Sequence, residues 1–248
     1  LVFNGGPGDL TSCARALADQ PLLCHPGEEW NYSVATDLLG RLVEVISGQA
    51  LDVYFQEHIL GPLDMTDTSF MIAPEKVDRF AANYGLADDG GLKLIDPARD
   101  SSYASEKLFS GGGGLTSTAR DYHRFIEMLR GKGEVDGVRL LGRKTVEYMT
   151  MNHLPGGGDL TSMGQAVFSE TSYDGIGFGL GFSIMLDPAK AQVIGSPGEH
   201  AWGGAASTAF WIDPVEDMSV IFLTQLMPSS TYPLRRELKV LTYQALID

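Results

Sequence analysis

Residues 26–40 read Pro-Gly-Glu-Glu-Trp-Asn-Tyr-Ser-Val-Ala-Thr-Asp-Leu-Leu-Gly, and this stretch says more about the fold than any other part of the chain. The Pro-Gly pair favours a turn, and Ser33 is a residue type that caps helices. Gly48 is a residue type that ends them. Between these two residues the apolar side chains follow helical spacing; they are Val34, Leu38, Leu39, Leu42, Val43 and Ile46. The stretch therefore predicts a turn, then Tyr32, then an amphipathic helix over 33–47 with these residues on one face.

Tyr32 stands directly before the predicted helix. A tyrosine in such a position is most often a packing residue whose hydroxyl binds backbone or water. Its fixed place beside a helix start also makes Tyr32 a candidate catalytic group. The choice between the two interpretations depends on the other motifs in the chain.

Composition and charge exclude several classes of function. The 248 residues are 44% hydrophobic, which is enough for one large domain or two intertwined ones. A formal net charge of −14 argues against nucleic acid and anionic membrane surfaces as partners. No apolar run reaches the roughly 18 residues that a membrane-spanning helix needs.

The cysteines and histidines carry little functional signal. A disulfide between Cys13 and Cys24 is possible, but two isolated cysteines are more often thiols of a cytosolic protein, so we favour a cytoplasmic location. The five histidines lack the spacing of a metal site. We therefore expect neither a metal ion nor another cofactor.

Helical patterns dominate the first part of the chain and strand patterns dominate the end. Further helices are predicted over 11–20 with Thr11 as cap, 51–59, from a capping box at Ser117-Thr118 through 130, 143–152 and 233–247, and short extended pieces near 80–86 and 92–95. Strands are predicted over 176–184, 202–212 and 218–226, with a turn over 213–217. This order predicts an α+β fold. A mostly helical region, 1–170, would carry Tyr32, and 171–248 would supply antiparallel strands and the last helix of the same domain.

Alternating glycines between 175 and 181 do not form a nucleotide-binding loop. A dinucleotide fingerprint places its glycines between a strand and a helix, whereas these glycines fall inside a predicted strand. They predict a bare strand face against which another element packs closely.

A second informative segment, Glu199-His-Ala-Trp-Gly-Gly-Ala-Ala-Ser207, opens a predicted strand with small residues that let a ligand approach the backbone. Together with 26–40 and three further motifs, it makes nearly the whole chain resemble serine hydrolases of the class C β-lactamase type. The three motifs are Pro62-Leu-Asp-Met-Thr-Asp-Thr68, Gly113-Gly-Leu-Thr-Ser-Thr-Ala-Arg-Asp121 and Trp211-Ile-Asp-Pro214. The closest likeness is to the family VIII carboxylesterases. The resemblance implies a β-lactamase/transpeptidase-like fold, with an antiparallel sheet flanked by terminal helices.

The resemblance also implies roles for particular residues. Members of this family use a Ser-x-x-Lys motif for the nucleophile, a tyrosine for proton transfer and a Lys-Thr-Gly, His-x-Gly or Trp-Gly-Gly triplet beside the substrate. By this likeness Tyr32 is the catalytic tyrosine, and Trp202, Gly203 and Gly204 bind substrate. The N–H of Ala205 would contribute to the oxyanion hole.

Two departures from the β-lactamase pattern favour esters as substrates. Val34 stands where β-lactamases usually have Asn, and Trp202 stands where they have Lys. Both changes make the site more apolar and less suited to an anionic lactam. The resemblance therefore implies a serine carboxylesterase that cleaves small-molecule esters through an acyl-enzyme. A β-lactamase or a D-amino-acid peptidase of the same fold is the alternative.

The nucleophile motif itself is missing, because no Ser-x-x-Lys occurs in the sequence. The related segment Ser117-Thr-Ala-Arg120 is better explained as a helix cap. The resemblance implies an N-terminally truncated piece of a longer enzyme. In such a piece Val220–Thr224 would form an apolar sheet edge, which the missing segment or another chain would cover. A non-catalytic fragment or binding module remains a further alternative.

Overall fold

The structure is a computed structural model that describes residues 8–104, 108–163 and 173–247. Its contacts divide the chain into two compact units that alternate along the sequence. The first unit takes its described residues from Leu1–His25, Tyr32–Ala81 and Asp96–Phe125. The second takes them from Pro26–Asn31, Ala82–Ile95 and Ile126–Asp248. The chain passes between the two units several times. The division into a mostly helical region 1–170 and a strand region 171–248 of one domain stays a prediction.

Helices and an antiparallel sheet together confirm the predicted α+β class. The described helices are α1 Leu10–Ala18, α2 Ala35–Ser47, α3 Leu51–Phe55, α4 Ala119–Arg130, α5 Arg143–Met149, α6 Leu160–Met163, α7 Pro188–Ala191 and α8 Leu234–Tyr243. The described strands are β1 Asn83–Leu86, β2 Leu92–Asp96, β3 Glu134–Val135, β4 Val138–Arg139, β5 Ile176–Phe178, β6 Ser183–Met185, β7 His200–Gly203, β8 Ala209–Asp213, β9 Met218–Phe222 and β10 Leu226–Met227. None of the helices in the described part of the chain is long and apolar enough to cross a membrane.

Most predicted helices are present, but their boundaries and caps differ. Asp9 rather than Thr11 caps α1, because the Asp9 carboxylate accepts the Ser12 N–H at 2.6 Å. Thr118 caps α4 as predicted, accepting the Asp121 N–H at 3.2 Å. In a capping box the Asp121 side chain would accept the N–H of the cap residue. Here the Asp121 carboxylate instead accepts hydrogen bonds from the Asp67 N–H and the Thr68 hydroxyl. The predicted helices over 51–59, 143–152 and 233–247 are shorter as α-helices.

The core of the first unit surrounds Phe70. Leu10 and Leu51 pack with Phe70 in a buried cluster, and the rings of Phe55 and Phe109 lie 5.7 and 5.2 Å from the Phe70 ring. Burying side chains of this size contributes about 1.5–3 kcal/mol each. This cluster joins α1, α3 and the 108–114 segment into one packed body.

Helix α2 buries a different face from the one that its apolar pattern suggests. Its buried residues are Asp37 and Gly40. The side chains left exposed are Leu38, Leu39, Leu42, Val45 and Ile46, and Ile46 is 82% exposed. Gly40 lies against the Leu51 side chain, and a Cβ at position 40 would come within 3.0 Å of it. The helix is therefore amphipathic as predicted, but its contact face is formed by Asp37, Gly40 and the half-buried Val43, and most of its apolar side chains are exposed.

The sheet of the second unit is a five-stranded antiparallel meander in the order β5-β6-β7-β8-β9. Three predictions of continuous strands were wrong. The predicted strand 218–226 is divided into β9, which ends at Phe222, and β10, which belongs to another sheet. The stretch 176–184 forms the hairpin β5–β6 with Phe178 opposite Ser183, and 202–212 forms the hairpin β7–β8 with Gly203 opposite Ala209. The predicted turn over 213–217 is present between β8 and β9.

Gly177 of β5 and Gly179 just after it allow close packing, as predicted. A Cβ on Gly177 would come within 2.6 Å of the Asn152 side chain, and one on Gly179 would overlap the Met149 carbonyl oxygen. Gly175 and Gly181 instead have positive φ values of 68° and 98°, which suit turns. The row of glycines is thus explained by packing and turns.

The two faces of β7 and β8 have different neighbours. Opposite residues of an antiparallel pair share a face, so Gly203 lies on the same face as Ala209, and Trp202 on the same face as Phe210. Helix α8 covers the face of Gly203, where Lys239 lies 5.6 Å from the Trp211 ring centre. The face of Trp202 carries aromatic contacts, including that of Phe182 with Phe210.

Candidate active site

Tyr32 precedes α2 and keeps 44% of its surface exposed. The helix begins at Ala35, and Val34 is its N-cap residue without a side-chain cap bond. Ser33 is therefore not the N-cap residue that we predicted. Its hydroxyl nevertheless accepts the Ala35 N–H at 3.1 Å, which satisfies one of the amides that a helix start leaves without a partner.

A buried carboxylate in the first turn of α2 binds a glycine-rich loop of the same unit. The Ser110 hydroxyl donates to Asp37 Oδ1 at 2.6 Å, and the Gly112 N–H donates to Ser110 Oγ at 3.2 Å. A Cβ on Gly111 would overlap the Thr36 carbonyl oxygen. The loop thus contacts the helix backbone directly, which requires glycine at 111. The Ser110 hydroxyl, which donates its hydrogen to Asp37, links the loop to the helix.

The triplet Trp202-Gly203-Gly204 lies at the end of β7, and Ala205 follows in an exposed turn. The Gly204 N–H donates to the Thr208 carbonyl at 3.0 Å, and the Ser207 N–H donates to the Gly204 carbonyl at 3.1 Å. Ser207 closes the turn with a φ of 66°, and its buried hydroxyl donates to the Leu226 carbonyl at 2.6 Å. The backbone around Ala205 is therefore well defined.

Trp202 ends a row of three aromatic rings in the second unit. Its ring centre lies 5.5 Å from that of Phe178 in an edge-to-face arrangement, and Phe178 lies 5.2 Å from Trp30. The Trp30 N–H donates to the Met163 carbonyl at 2.9 Å, which anchors the segment before Tyr32. The row presents apolar surface beside β7.

A buried charged network joins the start of β7 to α8. Lys239 Nζ pairs with Glu199 Oε1, and these side chains are only 14% and 3% exposed. The Tyr243 hydroxyl lies 2.8 Å from Glu199 Oε2 and 2.6 Å from Asp213 Oδ2. Burial raises the pKa of Glu199. Burial also acts to raise the pKa of Asp213, but hydrogen bonds, first that from Tyr243, hold it below its ordinary value.

The structure places the predicted site residues in separate units. Tyr32 belongs to the first unit, and Trp202, Gly203, Gly204 and Ala205 belong to the second. Their roles stay predictions. Sequence reasoning missed the contact of Asp37 with Ser110 in the first unit and that of Arg235 with the Gly204 carbonyl in the second. Their partners are 73 and 31 residues away in sequence, so local patterns carry no signal for these contacts.

Other sequence expectations concern cysteines and metals. No disulfide joins Cys13 to Cys24, and burial raises the pKa of the Cys13 thiol. Over residues 8–104, 108–163 and 173–247, no group of three or more His, Cys, Asp or Glu side chains is arranged to hold a metal ion.

These helices and this antiparallel sheet, with the Tyr-Ser-Val and Trp-Gly-Gly motifs, define the class of proteins with the β-lactamase/transpeptidase-like fold. The chain belongs to the β-lactamase family, since the family model described as "Beta-lactamase" matches residues 3–244. The predicted family and fold are thereby confirmed.

The chain is similar to several named proteins. "Protein Rv1367c" of Mycobacterium tuberculosis (strain ATCC 25618 / H37Rv) is 37% identical over 231 residues, which are 92% of this chain and 56% of that protein. "Esterase EstB" of Burkholderia gladioli is 30% identical over 232 residues, 87% of this chain and 54% of the esterase. Unliganded simvastatin synthase (LovD) from Aspergillus terreus matches in structure with a TM-score of 0.75 and 26% identity, covering 92% of this chain and 59% of that one. The chain thus spans little more than half the length of these relatives.

Proposed function

We propose that the full-length protein is a serine carboxylesterase that hydrolyses small-molecule esters through an acyl-enzyme. The observation that carries this proposal is Trp202, which stands in the row with Phe178 and Trp30 where a β-lactamase would place a lysine. An aromatic wall suits a neutral acyl or alcohol group and offers no cation for a lactam carboxylate. The likeness to esterase EstB supports the same choice.

The proposal gives each site residue a step. A serine hydroxyl attacks the ester carbonyl, Tyr32 takes part in moving the serine proton to the departing alcohol, and water then releases the acid. The Ala205 N–H donates a hydrogen bond to the oxyanion of the tetrahedral intermediate. The reaction requires a Ser-x-x-Lys pair, which residues 1–248 do not contain, and the gene sequence of the full-length protein tests this requirement.

The decisive assay compares two substrates. The full-length protein is assayed with p-nitrophenyl butyrate and with a chromogenic cephalosporin. We expect kcat/KM for the ester to exceed that for the lactam. Opening of the lactam with no turnover of the ester would contradict the proposal and support the β-lactamase alternative, and a D-alanyl peptide extends the panel to the peptidase.

A non-catalytic module is the second candidate, favoured by the absence of Ser-x-x-Lys from the sequence. Under this hypothesis the fold binds a ligand or partner without cleaving it. A fluorophosphonate probe separates the two candidates. Covalent labelling of one serine in the full-length protein supports the esterase, and failure to label under conditions that label a known serine esterase supports the module.

The edge of the sheet supports a proposal about association. Among the described strands β9 ends the sheet order, and Leu223 beyond it is 47% exposed. Unpaired strand edges are templates for pairing with other chains. We propose that residues 1–248, expressed alone, cover this edge by association. A mass of 26.8 kDa by light scattering, together with a single cooperative unfolding transition, would contradict it.

A further inference from the structure

The guanidinium of Arg235 contacts the backbone next to Ala205. Arg235 is the second residue of α8, and its Nη2 donates to the Gly204 carbonyl at 2.7 Å and to the Thr208 carbonyl at 3.0 Å. The two hydrogens of this one nitrogen suffice for both bonds. Arg235 thus joins the two sides of the β7–β8 turn.

Gly203 makes this contact possible. A Cβ at this position would lie 2.6 Å from Arg235 Cζ and 2.8 Å from the Thr208 carbonyl oxygen. The second residue of the Trp-Gly-Gly triplet is therefore a glycine for a reason of packing inside the unit. Lys239 lies four residues after Arg235 on the same face of α8 and pairs with Glu199, just before β7. The two cations therefore contact the two ends of this strand.

The Gly204 carbonyl and the Ala205 N–H belong to one peptide unit. A peptide unit is planar and trans, so its C=O and N–H point in opposite directions within one plane. Donors on the Gly204 oxygen therefore fix the direction of the Ala205 N–H. A cationic donor also polarises the unit and makes its N–H a stronger donor. Among the described residues of this unit, no oxygen accepts the Ala205 N–H.

From this geometry we infer that Arg235 is a positioning residue, which orients and polarises the Ala205 N–H through the Gly204 carbonyl. Its catalytic consequence rests on the proposed function, in which that N–H binds the oxyanion. Arg235 itself touches neither substrate nor oxyanion in this assignment. Its contribution should therefore appear in the turnover step and not in substrate binding.

The test compares two neighbouring arginines in the full-length protein. Arg235→Met removes the contacts with the two carbonyls. Arg236→Met is the matched control, because it removes the same charge from an exposed residue of the same helix, together with one hydrogen bond to the Gln192 carbonyl. Loss of one oxyanion donor costs about 10²–10³-fold in kcat. For a donor that is misdirected but still present, we expect Arg235→Met to lose about tenfold or more in kcat with little change in KM. Arg236→Met should keep kcat within about twofold.

A second readout does not depend on activity. In protein labelled with ¹⁵N-alanine, Arg235→Met should move the Ala205 amide resonance upfield in the proton dimension, whereas Arg236→Met should leave it in place. Arg235→Lys, which keeps the charge without the planar fork, should give an intermediate shift and an intermediate kcat. If Arg235→Met does not fold, Arg235→Lys tests the positioning role in its place.

The outcomes are distinguishable. An Ala205 resonance that is unchanged in a folded Arg235 variant overturns the positioning role, and so does an unchanged kcat in an enzyme that hydrolyses esters. If the wild-type protein hydrolyses no ester, the proposed function fails. The Ala205 resonance then still decides whether Arg235 controls this amide.

Discussion

The two predicted site segments are held by different kinds of contact. In the first unit, the start of the helix after Tyr32 contacts a glycine loop through its backbone and through a carboxylate–hydroxyl bond. In the second unit, the Trp-Gly-Gly segment is held by two cationic side chains of α8, Arg235 and Lys239. The comparison suggests that both segments are sensitive to added volume at a close glycine, Gly111 or Gly203, and that the second is also sensitive to lost charge.

The largest expected effect concerns proton transfer, which only Tyr32 in the first segment would carry out. Tyr32→Phe in the full-length protein should lower kcat for p-nitrophenyl butyrate by about 10²–10⁴-fold, because it removes a group that transfers protons. Tyr148→Phe is the matched control, since Tyr148 is also an exposed tyrosine. A loss of only a few-fold would show that Tyr32 is a packing residue.

The next largest effect tests the dependence of the second segment on charge. Lys239→Met should destabilise the protein by about 3–5 kcal/mol near neutral pH, because it leaves the buried Glu199 carboxylate without its cation. The measurement is the free energy of unfolding from urea titrations. Lys144→Met, which removes an exposed lysine paired with Glu147, should leave the unfolding midpoint unchanged.

The cost of Lys239→Met should depend on pH in a stated direction. Burial raises the pKa of Glu199, and the nearby Lys239 lowers it, so the variant raises that pKa further. Because the folded state then holds this proton more tightly than the unfolded state, the stability linked to it is full at low pH and is lost as the pH rises through the raised pKa. The penalty should therefore shrink on going from neutral pH to about pH 5. An equal penalty at both pH values would contradict the buried-charge explanation.

A smaller effect tests the dependence of the first segment on volume. Gly111→Ala would place a methyl group against the Thr36 carbonyl oxygen, and we expect a loss of about 2–3 kcal/mol in the free energy of unfolding. Gly113→Ala is the control, because a Cβ there meets no atom within 4 Å. Equal stability of the two variants would refute the close contact between loop and helix.

The smallest effect concerns the bond between Ser110 and Asp37 in the first segment. Ser110→Ala removes the donor to buried Asp37 and should cost about 1.5–2 kcal/mol, as expected for a hydrogen bond to a charged group. Ser69→Ala removes a hydroxyl that donates to the neutral Met71 carbonyl, and it should change stability by less than about 0.5 kcal/mol. An equal loss of unfolding free energy in the two variants would show that the bond from Ser110 to Asp37 is no stronger than a bond to a neutral carbonyl.

Sequence patterns predicted what local chemistry controls. The α+β class, the order of the helices and the turn over 213–217 were recognisable because apolar period and turn residues are local properties. Both hairpins were missed because Gly179 to Phe182 and Gly204 to Thr208 continue the small and apolar alternation across the turns. Reversal of the chain there depends on pairing between strands, which no short window records.

Contacts between distant residues explain the remaining errors. The apolar pattern of α2 showed that the helix is amphipathic, but which face is buried depends on the loop around Gly111 and on the Leu51 side chain. Arg235 resembled an ordinary surface residue of the last helix. Its role became visible only when the fold brought it to the Gly204 carbonyl.

The exposed apolar strip of α2 gives the protein a thermodynamic signature. Water around apolar side chains such as Leu39, Leu42 and Ile46 raises the heat capacity by about 0.45 cal/K/mol for each Å² exposed. A molecule that covers the strip removes this contribution, so its enthalpy of binding becomes more negative as the temperature rises. Titration calorimetry at several temperatures can therefore show that binding buries apolar surface, without any measurement of activity.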